Sequence, residues 1–410
     1  VTVLRLREYR SVEWRMATDT ARAIDAASGS ALEVTQTFEA GLWRISAGSH
    51  VGTVAAGDIR ILITPKVRAA NLFHMLEAGG EALPVQSEIF EYERTGDLLP
   101  AFATFFASVL DRAVAQGLPR QYREIDERLI ALRGRVDVKA QVKMGGLPIP
   151  VACRFDEHTA DTPVNRIAKA ALMVLLRLPG VSVATRQTLA RLVIRFDEVS
   201  SVTPGDLATE TPFTRLDEQF RSVDRLARLV LAGSSITNNA GLEGASTFLV
   251  NMNTVFESFL EASLRRALYG RLAVTGQCNG RLDEDGRVGI KPDLTFLRGP
   301  RTVYVGDAKY KLTDSGLGLS SDYYQLLAYT TALDLPEGVL VYCQDAEAPV
   351  PPKVVTVRHA GKRLHSWALT LAGGPAQLDR EIDDLAAWIE GRSAPEFERG
   401  RLPPAPMLIA

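Results

Sequence analysis

The chain has 410 residues, 46% of them hydrophobic and 23% charged, with a formal net charge of −2. This composition is ordinary for a soluble globular protein of two or three domains. A net charge so near zero excludes a global attraction to nucleic acid, so any basic surface must be local. Cys153, Cys278 and Cys343 are far apart and lack CxxC spacing, and the five histidines are scattered. That pattern argues against a disulfide framework, a structural zinc site and zinc hydrolysis. The first residues are charged from Arg5 onward and hold no apolar signal-peptide core. The apolar stretch 167–178 carries Lys169 and Arg177 and is too short to span a bilayer. A cytoplasmic location without membrane contact is expected.

Residues 1–67 read as short β-rich runs, at 3–6, 41–46, 51–55 and 58–64, with Pro65 ending the last. A small antiparallel sheet or barrel is the predicted product. Residues 97–117 read as a helix, with Phe102, Phe105, Phe106, Val109, Leu110 and Ala113 recurring at core spacing and Gly117 as the stop. A basic, strand-like passage follows at 132–139, and Gly145-Gly146 with Pro148 marks a boundary. Three helices are predicted next. The first starts at Thr162-Pro163 and ends at Pro179-Gly180, the second covers 183–199, and the third runs from Leu216 to Leu231. Arg221, Asp224, Arg225 and Arg228 of the third are read as a solvated face. From 236 the predicted order is helix 253–269, strands 272–278, 288–297 and 302–310, helix 322–333 and strand 338–343. Strands at 354–358 and 366–371, a helix over 377–390 and a loose tail after Arg401 complete the chain.

The chemistry concentrates between Ile290 and Lys311. Gly299-Pro300 reads as a turn between two apolar runs. A hairpin pivoting there sets Asp293 opposite residue 306 or 307, a choice the loop leaves open. Opposite residues in such a ladder lie roughly 5 Å apart. Strand alternation places Val303, Val305, Asp307 and Lys309 on one face. Two carboxylates and an ammonium then converge. Two adjacent carboxylates repel one another unless a cation lies between them. Hard oxygen ligands suit Mg²⁺, with Mn²⁺ as the alternative. The backbone carbonyl of Ala308 offers a further oxygen, and Lys309 is suited to orienting an attacking water and offsetting charge on phosphorus. A DxK triplet alone is common, and the competing reading is an exposed hairpin. The surroundings favour chemistry, since Pro292-Asp293 lies upstream, Glu257 sits on the preceding helix and Gln325 on the following one.

At these residues the chain resembles the PD-(D/E)XK nuclease superfamily, with Pro292-Asp293 and Asp307-Ala308-Lys309 at its signature. The resemblance implies Asp293 and Asp307 as metal ligands, beside the Ala308 carbonyl read from the strand, and Lys309 as the catalytic lysine. It implies Glu257 as the helix-borne acid directed toward metal, against the alternative of a surface charge. It implies Gln325 as a partner of the lysine. The runs 61–66, 71–76, 133–138, 159–169, 256–260 and 306–311 further resemble the McrC family, the nuclease subunit of McrBC modification-dependent restriction systems, over about residues 40–345.

That resemblance implies docking on a hexameric McrB-like AAA+ GTPase through the N-terminal half and Mg²⁺-dependent cleavage of methylcytosine-containing double-stranded DNA. No GxxxxGK[ST] P-loop occurs, in keeping with that division of labour. Arg133 and Arg135 are read as a basic turn or as a reach toward a partner's phosphate site. The expected architecture is an α+β multidomain chain. It comprises a β-rich partner-binding domain with one long helix over 1–150, a helical middle over 151–235, and an α/β PD-(D/E)XK core of αβββαβ order over 236–410. The rival functions are a stand-alone repair or recombination nuclease and a non-cutting activator or scaffold of an AAA+ motor.

Overall fold

The computed structural model describes residues 2–77, 86–145, 149–178, 180–209, 211–215, 217–236, 246–312, 319–344 and 351–393. Gly146 and Pro148 of the expected boundary, Pro179, Leu216 and the tail after Arg401 lie outside the described residues. The protein is a mixed α/β chain of two compact units. One gathers Val1–Gly96 with Leu249–Ala410, and the other gathers Asp97–Asn238 with Ser246–Phe248. These cuts differ from the expected 1–150, 151–235 and 236–410. The first strands belong with the C-terminal sheet, and the long helix belongs with the helices that follow it.

The first unit opens with two small sheets. Thr2–Arg7 pairs in parallel with Ile59–Thr64, from Thr2 opposite Ile59 to Arg7 opposite Thr64. Ile59–Thr64 pairs antiparallel with His50–Ala56. The second sheet sets Leu42–Ala47 between Ser11–Arg15 and Leu32–Gln36. The purely antiparallel sheet expected for 1–67 is therefore corrected. A parallel pair needs a long crossover, and the second sheet together with a helix, Thr18–Ser28, supplies it. That helix buries Ala21, Ile24 and Ala27. Its stripe is mostly alanine, which gives a weak periodic signal. Ile24, Ile45, Val54, Ile61 and Ile63 form the shared core.

The helix Ala69–Glu77 ties this part to the C-terminal part of the same unit. Asn71 is fully buried, and its Nδ2 donates to the carbonyls of Leu371 (2.9 Å) and Gly373 (2.8 Å).

The larger layer is a six-stranded mixed sheet. Its elements are α1 (Met252–Ala267), β1 (Ala273–Thr275), β2 (Leu294–Arg298), β3 (Arg301–Leu312), α2 (Ser320–Ala332), β4 (Glu337–Gln344), β5 (Lys353–Thr356), β6 (Arg363–Thr370) and α3 (Pro375–Ser393). The strand order is β1-β2-β3-β4-β6-β5. β3, β4 and β6 run parallel, and the other pairs are antiparallel. β4 is buried at every position, as a strand covered on both faces should be. Val305, Leu340 and Tyr342 pack on Leu326 and Tyr329 of α2. Tyr304, His365 and Trp367 meet Trp388 of α3. The predicted α-β-β-β-α-β order is present, with a two-residue ladder between Gly280–Arg281 and Gly289–Ile290 inserted ahead of β2.

In the second unit, Asp97 caps the helix Leu98–Ala115 by accepting from the Leu99 amide. The predicted Phe stripe is core, with Phe102, Phe105 and Phe106 fully buried. Thr162 caps Pro163–Arg177 as expected. The expected helical middle begins instead with a strand. Val151–Thr159 pairs with Gln121–Leu129 from Thr159 opposite Gln121 to Val151 opposite Leu129. The basic 132–139 passage gives only the short strand Arg135–Val136 before a helix, Val138–Lys143. Arg221–Gly233 is not a wholly solvated charged face. Asp224 is buried and pairs with Arg228 at 2.9 Å, and Arg228 also donates to the carbonyls of Asp206, Leu207 and Thr209.

Beside the middle of the strand Val151–Thr159, Gly134 has φ of 71°. A Cβ there would lie 2.5 Å from the Arg154 carbonyl oxygen and 2.6 Å from Phe155 Cβ. Gly134→Ala is expected to destabilise the second unit by about 1–3 kcal/mol. Denaturant unfolding checks this, and an unchanged midpoint would show that this segment relaxes freely.

Candidate active site

The register of the β2–β3 hairpin decides which residue faces Asp293. Leu297 pairs with Thr302, but Phe296 pairs with Tyr304, so Val303 is an extra, bulged residue. Leu294 then stands opposite Gly306, and one step further Asp293 faces residue 307. Without the bulge it would face residue 306. A bulge also re-aims the side chains that follow it. Here it turns Val305, Asp307 and Lys309 toward α2, where Val305 packs on Leu326 and Lys309 reaches Gln325.

Asp307 is fully buried. Lys309 Nζ lies 2.5 Å from Asp307 Oδ2, and the Asp293 carboxylate also acts on Asp307. The contact is a close, charge-assisted pair. Burial, followed by the negative charge of Asp293, pushes the Asp307 carboxyl up to about 7. Burial opposes the charge on Lys309, but Asp307, joined by Asp293 and Asp322, holds its ammonium above the ordinary value. Asp293 accepts the Ala308 amide on Oδ2 at 3.0 Å. In an extended strand one residue's N–H and C=O point the same way, so the Ala308 carbonyl also faces the Asp293 side.

Lys309 Nζ donates to Gln325 Oε1 at 2.9 Å, Gln325 Nε2 donates to the Tyr329 hydroxyl at 2.6 Å, and that hydroxyl donates to the Lys291 carbonyl at 3.1 Å. Gln325 therefore stands beside the lysine. Tyr329 was not anticipated. Its position four residues after Gln325 puts both on one helix face, a signal that only the identified role of Gln325 makes readable. Burial and then the charge of Asp307 push the Tyr329 hydroxyl up to about 12, so it stays protonated.

Glu257 of α1 is half-buried and makes no hydrogen bond or ion pair among the described residues. Burial, followed by the charge of Asp293, raises its carboxyl to about 7, with Lys309 and Lys291 acting the other way. It lies within electrostatic reach of the pair. Among the described residues, however, no three Asp, Glu, His or Cys side chains converge as a group able to hold a metal. The structure brings together Asp293, Asp307, Ala308, Lys309 and Gln325 and leaves Glu257 at the margin. Removal of Gln325 should loosen Lys309. Gln325→Leu is expected to slow catalysis about 10–100-fold and Tyr329→Phe less, measured as single-turnover rates. Equal rates in Gln325→Leu and wild type would show the chain of hydrogen bonds to be incidental.

Fold and site together define a mixed α/β protein with a buried acid–lysine centre within a parallel strand pair. It belongs to the McrBC family: the model described as "McrBC 5-methylcytosine restriction system component" matches residues 45–343, well over half the chain. Among solved structures, the refined half-complex from a tetradecameric assembly of Thermococcus gammatolerans McrB AAA+ hexamers with bound McrC contains a similar chain. The similarity covers 94% of this chain and 100% of that one, at 20% identity and a TM-score of 0.51. The cryo-EM structure of the Thermococcus gammatolerans McrBC complex is similar over 65% of this chain and 88% of that one, at 23% identity and a TM-score of 0.42. No curated protein matches the sequence.

Proposed function

We propose that this chain is the DNA-cutting subunit of a McrBC-type restriction system, with a PD-(D/E)XK centre formed by Asp293, Asp307 and Lys309. The observation that carries the reading is the Asp307 carboxylate, fully buried, with a second carboxylate facing it and the Lys309 ammonium as its cation among the described residues. Such an arrangement is costly unless a further cation completes it. Asp293, Asp307 and the Ala308 carbonyl are the oxygen donors that would hold Mg²⁺ or Mn²⁺, an incomplete protein shell of the kind Mg²⁺ accepts alongside water and phosphate. When bound, the cation supplies Lewis acidity toward a phosphodiester and an attacking water.

The chain's own residues do the rest. Lys309, aligned by Gln325, presents its ammonium to the developing charge on phosphorus and orients the water. Tyr329 fixes the Gln325 amide so that its oxygen, not its nitrogen, faces the lysine. Glu257 tunes the local field from α1.

The family assignment supports a partner of the AAA+ kind, since solved McrBC assemblies hold McrB AAA+ hexamers with bound McrC. The segment 121–145, with Ile149, is the docking surface we assign. Tyr122, Ile130, Leu132, Val138, Val142 and Ile149 are all exposed there, a concentration that marks an interaction surface. Arg133 lies over the Phe155 ring at 4.0 Å and Arg135 pairs with Glu124 at 3.0 Å, which favours a basic turn within this segment over a free reach to a partner's phosphate.

Incubation with an McrB-like partner, GTP, Mg²⁺ and methylated or unmethylated duplex DNA tests the reading. Cleavage of methylated DNA only, lost with a chelator, is the expected result. Cutting by the chain alone would favour the stand-alone nuclease. GTPase stimulation without any cutting would favour the activator.

A further inference from the structure

A second feature of the first unit lies beside the catalytic strand and has no part in the chemistry above. A cleft of about 630 Å³ is lined by Arg7, Glu8, Tyr9, Arg10, Ser49, Lys66, Asn253 and Lys311. Four of these are cations and one is a carboxylate. Volumes of this order are typical of ligand sites.

The cations differ in how they are held. Arg7 donates to the Lys66 carbonyl at 3.0 Å, and Lys311 pairs with Asp322 at 3.0 Å. Arg10 has no side-chain hydrogen bond or ion pair among the described residues. Lys66 is half-buried, and among the described residues its ammonium touches no carboxylate. Nζ donates to the Tyr310 carbonyl at 3.0 Å and lies 3.8 Å from the Tyr310 ring centre and 4.7 Å from that of Tyr9. Ring faces and a carbonyl orient an ammonium without neutralising it. Glu8 is nearby and buried, but its Oε1 is taken by the Tyr310 hydroxyl at 2.8 Å and by the Lys66 amide, and its Oε2 has no partner. Tyr9 has φ of 58°, a strained region for a residue with a bulky side chain, and its hydroxyl reaches the Tyr310 carbonyl at 3.3 Å. Strain of this kind persists where the surroundings enforce it and clusters at ligand sites.

The cleft is placed by the same strand as the candidate centre. Lys311 lies two residues beyond Lys309 on β3, roughly 7 Å along an extended chain. A DNA strand advances about 3.4 Å per nucleotide, so the two positions span about two nucleotides. We propose that the cleft binds a backbone phosphate of the DNA strand that passes Lys309, with Lys66 and Arg10 as its principal contacts. This rests on the reading of the chain as a DNA-cutting subunit and adds a part to it: the N-terminal sheet grips the substrate next to the cut. A docking face for a partner protein is disfavoured, because specific interfaces bury about 800 Å² per side over a broad surface. A concave basic pocket instead suits a single anionic group.

The test is fluorescence anisotropy of the full chain with a fluorescein-labelled methylated duplex. It is run in EDTA, with and without the partner, from about 50 to about 200 mM salt. Arg10→Gln and Lys66→Gln are each expected to weaken binding about fivefold and to lower the slope of log affinity against log salt by about 1. Arg10 is exposed and unpartnered, so Arg10→Gln keeps the test valid if Lys66→Gln does not fold. Unchanged affinity and slope in Arg10→Gln overturn the proposal, as does a wild-type chain that binds no DNA under either condition. A lost GTPase stimulation with an unchanged slope also overturns it and assigns the cleft to the partner. Cleavage by wild-type complex in Mg²⁺ is scored separately. Its absence, with the slope still reduced in the variants, would remove the nuclease reading and leave the phosphate site standing.

Discussion

Asp307→Asn is expected to lower DNA cleavage at least ~10³-fold while leaving partner GTPase stimulation at its wild-type level. The substitution is nearly isosteric, and Asp307 sits in a fully buried position between β2 and β4, so the sheet should keep its packing. What changes is charge. The amide cannot act as an anionic oxygen donor, and it removes the ion pair that holds Lys309 Nζ at 2.5 Å. Lys309→Ala should cost about 10²–10³-fold, the scale for loss of one stabilising group at the reacting centre. Glu257→Gln should cost far less, about tenfold, because Glu257 touches neither carboxylate and acts only through the field it shares with Asp293. Cleavage of methylated plasmid with partner and GTP is the measurement. An Asp307→Asn protein that cuts within tenfold of wild type would remove this residue from the chemistry.

The candidate site was partly legible in the sequence because a hairpin obeys local rules. The turn at Gly299-Pro300 and the alternation of β3 bring Asp293 near residue 306 or 307. The sequence could not choose between these. The deciding bulge at Val303 is fixed by packing, since Tyr304 is held against Phe296 across the hairpin and against Trp388 from a distant part of the chain. Tyr329 was hidden for a similar reason, because its hydroxyl acquires a role only when α2 lies on β3. The N-terminal errors have another origin. The alanine-rich stripe of Thr18–Ser28 resembles background, and a strand does not reveal whether its partner runs parallel to it. The sheet formed by Thr2–Arg7, Ile59–Thr64 and His50–Ala56 joined the same unit as β3 through Glu8, Lys66 and Tyr310. Contacts between residues some 300 positions apart leave no periodic trace.

The buried acids also set an expected dependence of stability on pH and metal. Asp307 is raised from 3.8 to about 7 and Glu257 from 4.5 to about 7, in both cases chiefly by burial. Well below pH 3.8 both carboxyls are protonated in the folded and the unfolded chain, and neither affects stability. Between about pH 4 and 7 the unfolded chain loses these protons while the folded chain keeps them. The native state then binds more protons, so stability falls as pH rises through this window. Above pH 7 the full cost is present, on the order of 4 kcal/mol for Asp307 at 1.36 kcal/mol per pKa unit. A divalent cation between the carboxylates offsets that cost, and it does so only where they are ionised. At a cation concentration of 100 Kd the gain is about 2.7 kcal/mol. Thermal unfolding in EDTA and in Mg²⁺ should therefore show little metal effect at pH 5 and a rise of several degrees at pH 8. In Asp307→Asn the metal effect should vanish. The gap between variant and wild type in EDTA should widen from pH 5 to pH 8, with the variant the more stable at the upper end. Lys309 keeps Gln325 and the charge of Asp293 in that variant, which limits the penalty of losing its ion pair. An equal Mg²⁺ shift in wild type and variant would place any bound cation elsewhere. A gap that narrows with rising pH would mean that Lys309 fully compensates the buried charge, leaving Asp307 ionised without help from metal.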